Sequence, residues 1–108
     1  MIEQTLEQRG KRYGKFRGHA EITQGLKALM RGETLEISGG TLVALQAKWK
    51  VLTPSQREAL EMVAHKIGRI LNGDPNYDDS WVDIEGYTHL VVEELHEATA
   101  SIEDRRRC

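Results

Sequence analysis

Residues 53–87 read TPSQREALEMVAHKIGRILNGDPNYDDSWVDIEGY, and the order of residue types in this stretch decides the fold. Thr53 suits a helix N-cap, Pro54 the first helical position, and Gln56 the partner position of a capping box. The predicted helix runs to about Leu71, with Asn72-Gly73 as its stop and Asp74-Pro75-Asn76-Tyr77 as turn chemistry. A second helix opens near Asp78 or Asp79, where acids favour the positive end of the helix dipole, and continues to about Ile102. Two antiparallel helices joined by a short turn imply an all-α bundle.

Upstream the signals are weaker. Thr5-Leu6-Glu7-Gln8 is a capping box for a short first helix, and residues 11–19, KRYGKFRGH, read as a basic loop with Tyr13 and Phe16 interleaved. A helix is expected from about Ala20 to Met30, closing at Gly32. Residues 33–52 are ambiguous: ETLEIS alternates like a strand, and Gly39-Gly40 offers a hairpin turn into TLVAL. The helix formers of TLVALQAKWKVL favour a helix from about Thr41 to Val51, with Thr41 as N-cap. The expected whole is one domain over residues 1–108, a bundle of four or five helices. Residues 1–18 supply an N-terminal helix and basic loop, and residues 53–104 the helical pair with the acidic cluster.

Composition agrees with this reading. A chain of 108 residues, 39% hydrophobic and 30% charged, buries roughly two-thirds of the surface its unfolded form exposes. One phenylalanine and two prolines leave the core to Leu, Ile, Val, Met and Ala, a helix-forming set. A net charge of −2 gives no reason to expect nucleic acid or an anionic membrane. There is no run of about 18 apolar residues to span a bilayer and no apolar N-terminal stretch of signal-peptide type. Together with the lone Cys108, these features make cytoplasmic the expected location.

Advancing about 100° per residue gathers Leu60, Val63, Ile67, Ile70 and Leu71 on one face of the Thr53 helix. Glu58, Glu61, Met62, His65 and Arg69 fall opposite. The final helix adds Asp79 and Asp83 on one side, beside an apolar stripe of Trp81, Ile84, Val91, Leu95 and Ile102. Carboxylates three or four residues apart stand one above the other and can share a hard cation whose remaining positions go to water and phosphate. Asp83 sits at the edge of its stripe and needs a partner. Lys66 or Arg69 would satisfy it by a salt bridge, and a metal ion would satisfy it differently. Trp49 and Trp81 read as core or dimer anchors, and the terminal Arg105-Arg106-Arg107 as a solvated helix end.

The run QREALEMVAHKIGRILNGDPNYDDSWVDIEGYTHLV, with RGKRYGKF upstream, resembles an uncharacterised, largely phage- and prophage-encoded family related to the MazG-like all-α nucleotide pyrophosphohydrolases. The resemblance covers Thr53 to Val92 and Arg9 to Phe16, about half the chain. It implies a MazG-like bundle, commonly dimeric, in which Mg²⁺ (or Mn²⁺) splits nucleoside triphosphates into monophosphate and pyrophosphate. Carried over by residue, it makes Glu58, Glu61 and Asp83 catalytic, and Glu58, Glu61, Asp79 and Asp83 the metal ligands. Ser80 stands where the second acidic motif has glutamate, and Arg57 where another glutamate often precedes the first. In this reading Lys66 and Arg69 take phosphate oxygens, while Tyr13 or Phe16 stacks on the base and Arg12 or Arg17 adds phosphate contacts. The alternative is a non-catalytic phage accessory protein that binds a host protein; a nucleic-acid-binding role is disfavoured by the acidic balance.

Overall fold

The computed structural model describes residues 10–107. Four helices lie in this range, α1 (Phe16–Arg31), α2 (Gly39–Val51), α3 (Pro54–Asn72) and α4 (Asp79–Arg107), with no strand among the described residues. Residues 10–13 are helical as well. The fold is therefore the expected all-α bundle, and none of the four helices is long and apolar enough to cross a membrane. The capping box expected at Thr5 to Gln8 lies outside the described residues.

The local signals explain most boundaries. α3 begins with the full capping box: Thr53 Oγ1 accepts from Gln56 N, and Gln56 Oε1 accepts from Thr53 N. α1 ends at Gly32, whose left-handed conformation (φ 70°) lets the chain return hydrogen bonds to Ala28 and Leu29. α1 starts at Phe16, earlier than the expected Ala20, with extended Lys15 in the N-cap position. The predicted loop 11–19 is thus reduced to Gly14 and Lys15, and Gly14 adopts φ 75° to make the turn. α2 is helical rather than a hairpin arm; its cap is Ser38, not Thr41, because the Ser38 hydroxyl accepts from Thr41 N.

The helices pack in the row α2, α1, α3, α4, so α3 has a neighbour on each side. This arrangement corrects the expectation of one apolar and one solvated face. Small residues make the close approaches on α3: Ala59 and Ala64 are buried, and so is Gly68. Leu60 and Leu71, placed on the apolar face by periodicity, are 42% and 68% exposed. Lys66 is buried instead.

At Gly68 the approach of α1 is tightest. An added Cβ would lie well inside contact distance of Thr23 Oγ1 and 3.0 Å from His19 Nδ1. Gly86, in the exposed middle of α4, has nothing within 4 Å of such a carbon. Gly86→Ala should therefore raise stability by up to about 1 kcal/mol through helix propensity, whereas Gly68→Ala should lower it by about 1–3 kcal/mol through overpacking. Urea denaturation of the two variants checks the opposite signs.

Candidate functional site

The acids singled out in the sequence each meet a different environment. Glu61 on α3 accepts a hydrogen-bonded ion pair from Arg31 at the end of α1, and the Arg31 guanidinium lies 5.9 Å from the centre of the Trp49 ring. Asp83 on α4 pairs with Lys66 Nζ at 2.9 Å. Asp79 accepts a long hydrogen bond from the Tyr13 hydroxyl at 3.5 Å. Glu58 is exposed and faces a groove beside α4. Ser80 is buried, so the position expected to carry the second motif's glutamate is a small side chain in a packed contact.

This distribution bears directly on a metal. The expected convergence of Glu58, Glu61, Asp79 and Asp83 does not occur, and the described residues contain no group of three or more His, Cys, Asp or Glu arranged to hold an ion. The physical reason is charge: an ammonium and a guanidinium already neutralise two of the four carboxylates.

Lys66 and Asp83 differ in their access to water. The lysine side chain is 10% exposed and the aspartate 37%. Without its counter-charge the ammonium is left desolvated, whereas the carboxylate can turn outward. Asp83→Asn should cost about 2–4 kcal/mol, and Lys66→Met about 1 kcal/mol or less. Paired denaturation curves measure the asymmetry.

A second site lies where the loop before α1 meets the C-terminal end of α3. Asn72 Nδ2 donates to the carbonyls of Tyr13 (2.7 Å) and Lys15 (2.8 Å), and Asp74 N donates to Arg12 O (2.7 Å). Above this latch, cations and rings alternate. Arg12 lies 4.6 Å from the Tyr77 ring centre, Tyr77 meets Tyr13 edge-on, and Arg69 lies 4.6 Å from the Tyr13 ring centre. Of these groups Tyr13 and Arg69 also line a cavity of about 630 Å³, together with Lys15, Phe16, His19 and His65. The exposed Phe16 ring, 81% accessible, stands at its edge. Tyr13, Phe16 and Arg69 are expected to meet a ligand, and the fold places all three on one cavity; Lys66 is not in that lining and pairs with Asp83.

Sequence reasoning missed Asn72 as a latch and His19 altogether. Asn72 carried the signal of a helix stop, and His19 sat within a stretch read as loop. His19 Nε2 is 3.3 Å from His65 Nδ1, the two rings meet at 84°, and Thr23 Oγ1 lies 3.5 Å from the same nitrogen. His19 is buried, and its Nδ1 has no hydrogen-bond partner. The nearby Gly68 backbone favours the protonated ring, against the larger opposing effects of burial and Arg69.

Burial, followed by the positive charge of Arg69, lowers the pKa of His19. Burial, followed by repulsion from His19 and then Arg69, lowers that of His65 to about 4. Both imidazoles are therefore neutral near pH 7. Because the unfolded chain binds protons near pH 6.5 that the folded chain refuses until about pH 4, stability is full above that window and falls as pH drops through it. The melting temperature should decline from pH 6.5 to pH 4, and His65→Gln should flatten the decline; a thermal-melt series across that range is the check.

The fold and this site define a small helical bundle with an aromatic, cationic pocket at one end. No family model, curated protein or solved structure matches the chain.

Proposed function

We propose that the chain is a nucleotide-binding protein built on a MazG-like bundle, with the ligand held in the Tyr13–Phe16–Arg69 pocket. The observation that carries this reading is the pairing, in one cavity, of an exposed aromatic ring with two cationic side chains. Phe16 offers a face on which a planar base stacks. Arg69 presents guanidinium edges to phosphate oxygens, and Lys15 adds a mobile point charge. The neutral His19 and His65 rings form a floor able to donate or accept a hydrogen bond. A cavity of about 630 Å³ lies within the size range of small-molecule sites.

Hydrolysis is the second reading, that of a pyrophosphohydrolase. Its favouring observation is that Asp79 contacts Tyr13 of the pocket and lies one helical turn from Asp83. Against it stand the ion pairs of Glu61 and Asp83. A third reading, an accessory protein that binds a host protein without a nucleotide, draws on the exposed apolar surface alone.

Calorimetric titration with nucleoside triphosphates, inorganic triphosphate and the free nucleosides separates these readings. Nucleotides should bind, each half of the ligand alone should bind at least about tenfold more weakly, and Phe16→Ala and Arg69→Ala should each weaken nucleotide binding by about tenfold or more. No binding by any of them sinks the proposal. Release of pyrophosphate in the presence of Mg²⁺ or Mn²⁺, lost in Asp83→Asn variants that remain folded, would establish the enzyme instead.

A further inference from the structure

Two imidazoles from different helices line the cavity and meet through their nitrogens. His19 Nε2 of α1 is 3.3 Å from His65 Nδ1 of α3, closer than the 4.5 Å between the ring centres, and the rings stand at 84°. The other nitrogen of His19, Nδ1, faces the backbone at Gly68, and that backbone favours a proton on the ring. The proton of the neutral His19 therefore belongs on Nδ1, which leaves a free lone pair on Nε2. Histidines that ligate metals divide their nitrogens in this way, one turned to the protein and the other to the ion. Burial above all keeps both rings unprotonated near neutral pH, so an ion meets no proton that it must first displace.

The spacing matches a shared ion. Two nitrogens on one tetrahedral Zn²⁺, each at about 2.0–2.1 Å, stand about 3.3–3.4 Å apart, and this pair is 3.3 Å apart. A hydrogen bond is ordinarily shorter, with N–H donors about 2.7–3.2 Å from an oxygen acceptor. We propose that His19 Nε2 and His65 Nδ1 hold a late first-row transition ion of the Zn²⁺ kind, whose remaining positions open on the cavity. Neutral nitrogen ligands select this class against Mg²⁺, which takes oxygen. The site thus differs in both place and metal from the acids of α3 and α4. Thr23 Oγ1, 3.5 Å from His19 Nε2, supplies a hydroxyl beside the ion.

The surrounding cations decide what completes the coordination. Arg69, Lys66 and Lys27 all add positive potential at the two rings. Lys66 is paired with Asp83, whereas Arg69 lies over the Tyr13 ring and lines the same cavity. A dication placed here is therefore held together with an anion in an open position, which offsets the repulsion between like charges. The site shares its cavity with the nucleotide reading but does not rest on it.

Zn²⁺ alone is the probe, on a full-length background of His89→Gln, His96→Gln and Cys108→Ser that removes the other imidazoles and the thiol. Equilibrium dialysis near neutral pH should give one ion per chain, not displaced by millimolar Mg²⁺. His19→Ala and His65→Ala should each weaken uptake at least about tenfold, since even the outer partners of a metal ligand are worth about 10–100-fold. Co²⁺ in place of Zn²⁺ should give a visible d–d absorption that both variants lose. Circular dichroism verifies that each variant is helical. Where one does not fold, long-range ¹H–¹⁵N spectra of the background protein replace it: Zn²⁺ should shift His19 Nε2 and His65 Nδ1 together. No saturable uptake, uptake unchanged in both variants, displacement by Mg²⁺, or ring nitrogens that Zn²⁺ leaves unmoved would each overturn the proposal.

Discussion

The close approach of α1 to α3 at Gly68 is the contact on which the other features rest. Because glycine stands there, His19 and Thr23 of α1 reach the backbone of α3 directly. That distance brings His19 against His65 and Arg31 against Glu61. It also sets the depth of the cavity whose floor the two histidines form. A side chain at Gly68 would push the helices apart and loosen all three at once. Little else could compensate, since the buried apolar residues among those described are only Ala59, Ala64 and Ile70.

The same placement of α3 between two neighbours governs its charged residues. A helix with a single neighbour can present its polar side to solvent and to metal. Here one acid of the Glu-x-x-Glu pair turns toward the arginine that ends α1, while the lysine of the same helix turns toward α4. The Lys66–Asp83 pair fixes the register of α3 on α4 with the charges that a cation-binding pair of helices would leave free. The polar residues of α3 are thus divided between ion pairs to its two neighbours and a cavity lined by His65 and Arg69 toward its C-terminal end.

Much of this was legible in the sequence where the signal is local. The capping box at Thr53, the left-handed Gly32 and the stop at Asn72-Gly73 depend on residues within one turn of each other, and each marks a real boundary. The salt bridge open to Asp83 was also readable, because Lys66 and Asp83 fall on facing sides once two antiparallel helices are assumed. The two faces of α3 were not readable. Periodicity assigns one apolar face per helix, so a central helix with small residues on two sides leaves Leu60 and Leu71 misplaced and Lys66 buried. The extent of α1 was obscured by Gly14 and Gly18, which read as loop although only Gly14 takes a conformation that needs glycine. Ser38 was passed over as a cap although serine is the better N-cap residue, because Gly39-Gly40 read as a turn and Thr41, next to the run of helix formers, was adequate. The His19–His65 pair required knowing that residues 46 positions apart meet across the α1–α3 contact.

The Asn72 latch also has a consequence for the order of assembly. Its side chain grips carbonyls 57 and 59 residues away along the chain. Closing a loop of that length has an entropic cost that no local interaction offsets. α1 and α3 must already be docked before the amide finds Tyr13 and Lys15, so the pocket completes late on the folding route. Asn72 thus holds the loop before α1 against the end of α3 through two side-chain hydrogen bonds donated by one amide, so a single substitution there would free both carbonyls at once.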